Sequence, residues 1–188
     1  MAYFGLLAVI AAERLNEVRL SRRNVTWALD RGGLEFGRRH FRWMVLIHVL
    51  FLPACALEVW GLGRPFVPAL GLPMLAVVLS AQALRFAAIL TLGPRWNVRV
   101  VVIPGEPAVT RGPYRFLRHP NYLAVILEGI AIPLVHTAWL TAFVFTAMNA
   151  VVLFVRIRCE EAALKEYSDY DGRLAGRHRF VPSREVAP

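Results

Sequence analysis

The sequence predicts an all-α fold, an integral-membrane helical bundle with about five transmembrane helices. Three observations predict it. Of 188 residues, 57% are hydrophobic, against about 45–50% in soluble domains, and mean hydropathy is +0.48. The apolar residues are gathered into long blocks. Arginines crowd alternate connections between those blocks, as the positive-inside bias of membrane helices requires.

The spans follow in order. The first, residues 2–18, carries Glu13, Arg14 and Asn16 in its second half, and is weak enough to lie tilted at the interface. The second covers residues 40–62. The third covers 66–92, with Pro73 placed to kink it. The fourth and fifth, 120–135 and 138–155, are each roughly 16–18 residues, the lower limit for crossing a core of about 30 Å. Pro133 and His136-Thr137 mark a tight turn between them, so the two form a hairpin. The loop after the first span holds Arg19, Arg22, Arg23, Arg31, Arg38 and Arg39. The loop after the third holds Arg95, Arg99, Arg111, Arg115 and Arg118. The tail holds Arg156, Arg158, Lys165, Arg173, Arg177, Arg179 and Arg184, and the opposite side holds only Arg64. That asymmetry puts these loops and the tail in the cytoplasm and the N-terminus outside. The loop from Gly93 to His119 is long for a connection, which marks it as functional. The tail begins helical, through residues 160–170, and ends irregularly by Pro182. The chain reads as one domain, 1–188.

Composition also excludes. The net charge of +9 is accounted for by arginines at inner helix ends. No basic stretch is interleaved with exposed aromatics, so no nucleic-acid partner is expected. Cys55 stands in an apolar block and Cys159 in a charged one, so neither a disulfide nor a metal site is expected. The apolar run at Met1–Ile10 lacks the basic region of a cleaved signal peptide.

Three groups of residues carry chemistry. Arg118-His119-Pro120 opens the fourth span. Proline fits the first turn of a helix, the unpaired N–H groups there favour an anion, and Arg118, His119 and Tyr122 add donors. The same residues also serve as plain headgroup-level anchors. Second, helical spacing sets Arg156 beside Glu160 and Arg158 beside Glu161. Neighbouring acids just below a membrane suit an amino group or a ribose, or else form a solvated face with surface ion pairs. Third, Glu58, Arg85 and Glu128 are ionisable groups inside spans, where charge is functional by default. Arg85 and Glu128 lie at similar depths, roughly 10 and 13 Å from the inner helix ends. They either pair structurally or line a substrate cavity. Glu58 stands apart, near the outer end of its span.

These residues resemble the isoprenylcysteine carboxyl methyltransferase family of membrane enzymes. The likeness covers about Gln82 to Pro182, the expected catalytic part. It runs through Leu92-Gly93-Pro94-Arg95-Trp96, Val109-Thr110-Arg111-Gly112-Pro113-Tyr114-Arg115 and Arg118-His119-Pro120-Asn121-Tyr122. It continues through Arg156 to Glu161, Tyr167, Tyr170 and Arg179-Phe180-Val181-Pro182. The resemblance implies S-adenosylmethionine as cofactor, bound at the cytoplasmic face by Tyr114, His119, Tyr122, Glu160 and the backbone around Val109. It implies that Arg156 and Glu161 are catalytic at the acceptor. Arg85 and Glu128 are then substrate-binding, with the lipid tail entering between spans three and four beneath them. The loop with Asn24, Asp30-Arg31-Gly32-Gly33 and Glu35 resembles small bacterial members, which places the chain in a bacterial inner membrane. Those members suggest a lipophilic carboxyl or hydroxyl acceptor, such as a long-chain phenol or pyrone. A carboxylate needs Arg156 only as a clamp; a phenol needs Glu161 as base or Arg156 to stabilise the phenolate. Two other readings remain: an NADPH-dependent reductase of the sterol-reductase type, similar around Arg118-His119, and a non-catalytic membrane subunit.

Overall fold

The computed structural model describes residues 1–174 and 176–182; Arg184, counted above, lies outside them. Its helices are α1 (Ala2–Leu29), α2 (Arg38–Gly61), α3 (Pro68–Leu92), α4 (Pro120–Leu134), α5 (Trp139–Tyr167) and α6 (Tyr170–Leu174), with strands β1 (Leu34–Phe36) and β2 (Val100–Val102). Helices α2 and α5, and α3 with the turn after it, are long and apolar enough to cross a membrane, and α4 is a shorter apolar helix. The outer surface is greasy. Trp60 and Leu90 are each 79% exposed, which suits a lipid solvent and no aqueous one.

Helix α1 differs most from expectation. It continues to Leu29, well past Val18, and ends where Gly32 takes a φ of 78° and the Gly33 N–H donates to the Ala28 carbonyl at 2.9 Å. Asn24, expected in a loop, is therefore helical. Tyr3, Leu7 and Ile10 enter the core shared with Phe51 and Cys55 of α2, Val78 of α3, Ile132 of α4 and Phe145 of α5. The Tyr3 hydroxyl donates to the Ile132 carbonyl at 3.1 Å. Helix α1 thus packs along the bundle.

Helices α2 and α5 run antiparallel. Glu58, flagged as a charge within its span, caps α5. Its carboxylate accepts the N–H groups of Leu140 (3.1 Å) and Thr141 (2.7 Å) and pairs with Arg64 at 2.8 Å. A negative charge at a helix N-terminus is stabilising, by about 0.3–1 kcal/mol or more when partly buried. Halfway along, Phe51 lies on Phe145 with ring centroids 4.0 Å apart. Phe145 also covers Gly129 of α4, where a Cβ would stand 2.6 Å from the ring. Only glycine allows that approach.

Helix α5 does not stop at Val155. Its 29 residues span about 43 Å at 1.5 Å per residue, more than a bilayer core. Residues 156–167 therefore project rigidly on the arginine-rich side. A small sheet, absent from the all-α expectation, forms at that end. β1 and β2 pair antiparallel with Phe36 opposite Val100 and Leu34 opposite Val102. The β-branched run Val100-Val101-Val102 favours it, and it clips the two long connections together.

Candidate active site

A cleft opens at the arginine-rich end, with a cavity of about 150 Å³. All five residues expected at the cofactor, Val109, Tyr114, His119, Tyr122 and Glu160, line it. Each arrives on a different piece of local structure. Tyr114 sits in a 3-10 turn begun by Gly112, whose φ is 56° and whose lack of a side chain leaves room for Thr91. His119 and Tyr122 belong to the first turn of α4, and Glu160 to the projecting part of α5. The loop carrying Val109 is tied down by the Gly105 N–H to the Tyr167 carbonyl (2.9 Å) and the Ala108 N–H to Asp169 (2.7 Å). Burial and the nearby Glu160 charge push the Tyr114 phenol upward, so it stays a neutral donor.

Sequence reasoning missed three more lining residues: Trp96, Asn97 and Asn121. Trp96 Nε1, Asn97 Oδ1 and Asn121 Oδ1 are buried and have no partner among the described residues. Unpartnered buried polar atoms are rare and want a ligand or water. The wall holding them is built from α1: Asn24 donates to the Trp96 carbonyl at 2.7 Å, and Ser21 accepts the Val98 N–H at 3.0 Å. Trp96 and Asn121 stood within recognisable motifs, yet nothing in the motifs said that their polar atoms were left open.

Beside the cleft runs a chain of contacts. His119 Nε2 lies 3.0 Å from Glu161, which Arg179 also grips at 2.9 and 2.5 Å. The backbone of the same tail segment accepts the N–H groups of Arg118 (3.0 Å) and His119 (3.3 Å), so residues 177–180 form a strap over the start of α4. Burial alone would raise the Glu161 carboxyl, but hydrogen bonds and charge from His119 and Arg179 outweigh it and hold the pKa at about 2. The expected Arg158–Glu161 pair does not form; Arg158 stacks over Phe154 at 4.8 Å, because Glu161 turns inward to the strap. Arg156 is buried. Its Nε donates to the Tyr122 hydroxyl at 2.7 Å, and that hydroxyl donates to Glu160. Its Nη1 is buried with no partner among the described residues.

A second cavity, about 260 Å³, lies between α4 and α5, lined mainly by apolar groups including Ile126, Phe145, Leu153 and Ile157, with Arg179 and Phe180 at its strap end. A lipid path was expected between α3 and α4 instead. Those helices are locked by a cluster of side chains. Arg85 reaches Glu128 at 3.3 Å and Glu17 at 2.8 Å; Arg14 reaches Glu17 at 2.8 Å, Glu128 at 3.3 Å and Gln82 at 2.8 Å; Gln82 donates to Glu13. Arg85 and Glu128 pair, as their depths suggested, and neither lines either cavity.

Comparison with known proteins identifies the family. A family model described as the isoprenylcysteine carboxyl methyltransferase (ICMT) family matches residues 74–166. The uncharacterized protein YpbQ of Bacillus subtilis (strain 168) is 39% identical over 167 residues, covering 88% of this chain and 98% of that protein. An uncharacterized protein of Haemophilus influenzae is 29% identical over 160 residues, covering 84% of this chain and 91% of that protein.

Proposed function

Because this chain belongs to the isoprenylcysteine carboxyl methyltransferase family, we propose that it is an S-adenosylmethionine-dependent enzyme that methylates an oxygen of a lipophilic substrate. One observation carries the reading. Phe145, Asn149, Leu153, Arg156 and Glu160 follow at three- and four-residue spacing along one stripe of α5. The first three line the apolar groove and the last lines the polar cleft. Arg156 stands between them, where a lipid's reactive end and a water-soluble cofactor would meet.

The residues of the cleft fit the cofactor. The Glu160 carboxylate suits its ammonium or ribose, and the open atoms of Trp96, Asn97 and Asn121 offer one donor and two acceptors for its polar edges. When bound, it supplies an electrophilic methyl group. Tyr122 fixes the Arg156 guanidinium through Nε and leaves Nη1 to orient an anionic oxygen. Glu161, held at about 2, is a weak base. We assign it to positioning: it holds His119 and the strap together and helps exclude water. Arg85 and Glu128 act on the substrate only by fixing α3 against α4. The arginine-rich face, cleft included, lies in the cytoplasm of a bacterial inner membrane.

Calorimetry on the detergent-solubilised protein tests this. S-adenosylmethionine should bind at about one per chain and NADPH should not. Glu160→Ala and His119→Ala should each weaken binding by about 1–3 kcal/mol. Unchanged affinity in both variants would remove the site from this cleft. A Glu106→Cys variant lacking the two native cysteines should resist membrane-impermeant thiol reagents in intact cells; ready labelling would reverse the orientation.

A further inference from the structure

We propose that His40 is a catalytic residue on the acceptor side: with Arg156 it forms the site for the acceptor's ionisable oxygen. Resting on the methyltransferase reading, this narrows the acceptor to a weakly acidic hydroxyl or a carboxyl group and excludes an amine.

Phe51 of α2 faces Phe145 of α5 at 4.0 Å. Eleven residues on along each antiparallel helix come His40 and Arg156. Eleven residues make about three turns, so both side chains return to the facing sides. His40 Nε2 and Arg156 Nη1 are both buried and both without a partner among the described residues. Arg156 is only 4% exposed. Leaving such atoms unpaired is costly without a ligand that hydrogen-bonds to them, receiving from the guanidinium and giving a proton to the ring nitrogen.

The surroundings hold both groups in place. Gly37 has a φ of 69°, and a Cβ there would stand 2.7 Å from His40 Nε2; glycine at that position lets the ring lie against the backbone at the start of α2. His48, further along α2, is committed to the Met44 carbonyl at 2.8 Å, and His119 to Glu161, so His40 is the histidine left open at this level. The other charged groups near it are accounted for. Glu35 of β1 is held by Arg38 (3.1 Å) and Arg99 (3.3 Å), and Arg99 lies over Phe41 at 5.5 Å. On α5, Arg156 is the charge facing the ring, with Cys159 also within its field. Arg39 and Arg42 flank His40 in sequence. No acid among the described residues pairs with the His40 ring, and a fixed guanidinium repels a cationic amine.

The chemistry follows from these two groups. Arg156 lowers the cost of a developing oxyanion, and neutral His40 accepts its proton. On methylation the oxygen–carbon bond forms as the carbon–sulfur bond breaks, its electron pair staying on sulfur. The proton ends on His40 Nε2 and leaves to water afterwards. A carboxylate acceptor has no proton to give, and there His40 only donates a hydrogen bond.

The test uses two probes, 4-dodecylphenol and dodecylamine, on the full chain in detergent. Without cofactor, the wild type should bind the phenol and reject the amine. His40→Gln should weaken phenol binding by about tenfold while leaving S-adenosylmethionine affinity within twofold and the melting temperature unchanged. Turnover of the phenol should fall on the order of 10² near pH 7 and recover in part toward pH 10, where the phenol ionises unaided. Phenol affinity equal in wild type and His40→Gln, preferred binding of the amine, or no binding of either probe would overturn the proposal. A loss of turnover that stays flat with pH would overturn the proton transfer. Failure of S-adenosylmethionine to bind the wild type would instead sink the methyltransferase reading, while the phenol binding data would still judge His40.

Discussion

Two clusters of polar side chains lie within this bundle, and their hydrogen bonding differs. The inner one, Glu13, Arg14, Glu17, Gln82, Arg85 and Glu128, joins α1, α3 and α4 and is saturated: its members bond one another. The other lies at the arginine-rich end. Trp96, Asn97, Asn121, Arg156 and His40 each leave a buried atom unpaired, five of the six such atoms among the described residues. Charge inside a membrane protein is a functional signal by default. The contrast sharpens that rule: a satisfied cluster holds helices, and an unsatisfied one awaits a ligand.

Breaking the saturated cluster should have the largest effect. Arg85→Met leaves Glu17 and Glu128 to share Arg14 alone, and loss of one partner from a buried pair costs about 3–5 kcal/mol. Denaturant titration in detergent should show it, while the molecules still folded keep their cofactor affinity within a few-fold. Impaired cofactor binding at full stability would erase the distinction between the clusters.

Arg156→Gln should do the reverse. Loss of an oriented charge in a water-poor site commonly lowers rate by about 10²–10³, with cofactor affinity nearly constant and the melting temperature little changed. A large drop in stability would class Arg156 with the inner cluster.

Glu58→Ala extends the structural side of the comparison. It leaves the N–H groups of Leu140 and Thr141 unpaired, which should cost about 1–3 kcal/mol without altering turnover below the transition. Trp96→Phe extends the ligand side. Cofactor binding should weaken by about 0.5–1.5 kcal/mol, yet the unliganded protein should be as stable as before or more so, because an unsatisfied N–H has gone. Thermal melts with and without cofactor separate the two effects.

The smallest effect is a pH dependence at the strap. The Glu161 pKa is depressed to about 2 from an ordinary value of about 4.3. A depressed carboxylate contributes stability above its unfolded pKa and loses it as pH falls toward its folded one. The melting temperature of Arg179→Gln should therefore lie below the wild type at pH 5 and above, and approach it near pH 2. A constant gap across that range would mean that Arg179 acts through packing alone.

Much of this was legible in the chain. Block length gave the apolar helices, and the turn at Pro133 gave the α4–α5 hairpin. The order of motifs pointed to the family and to five residues that share one cleft. The similar depths of Arg85 and Glu128 allowed their pairing. These features depend on local spacing, which sequence states directly. Glu161 was legible as one of two neighbouring acids but not as a bound one, since its partners His119 and Arg179 are 42 and 18 residues away.

Tertiary structure alone decided what each charge does. Whether Glu58 is a helix cap or a site, how far α1 runs and what it packs against, and whether Arg158 or Arg179 meets Glu161 all depend on contacts between distant segments. So does the open state of Trp96, Asn97, Asn121 and His40. A residue's type fixes how many hydrogen bonds it can make, and that is written in the sequence. How many remain unmade once the helices have packed is a property of the whole fold.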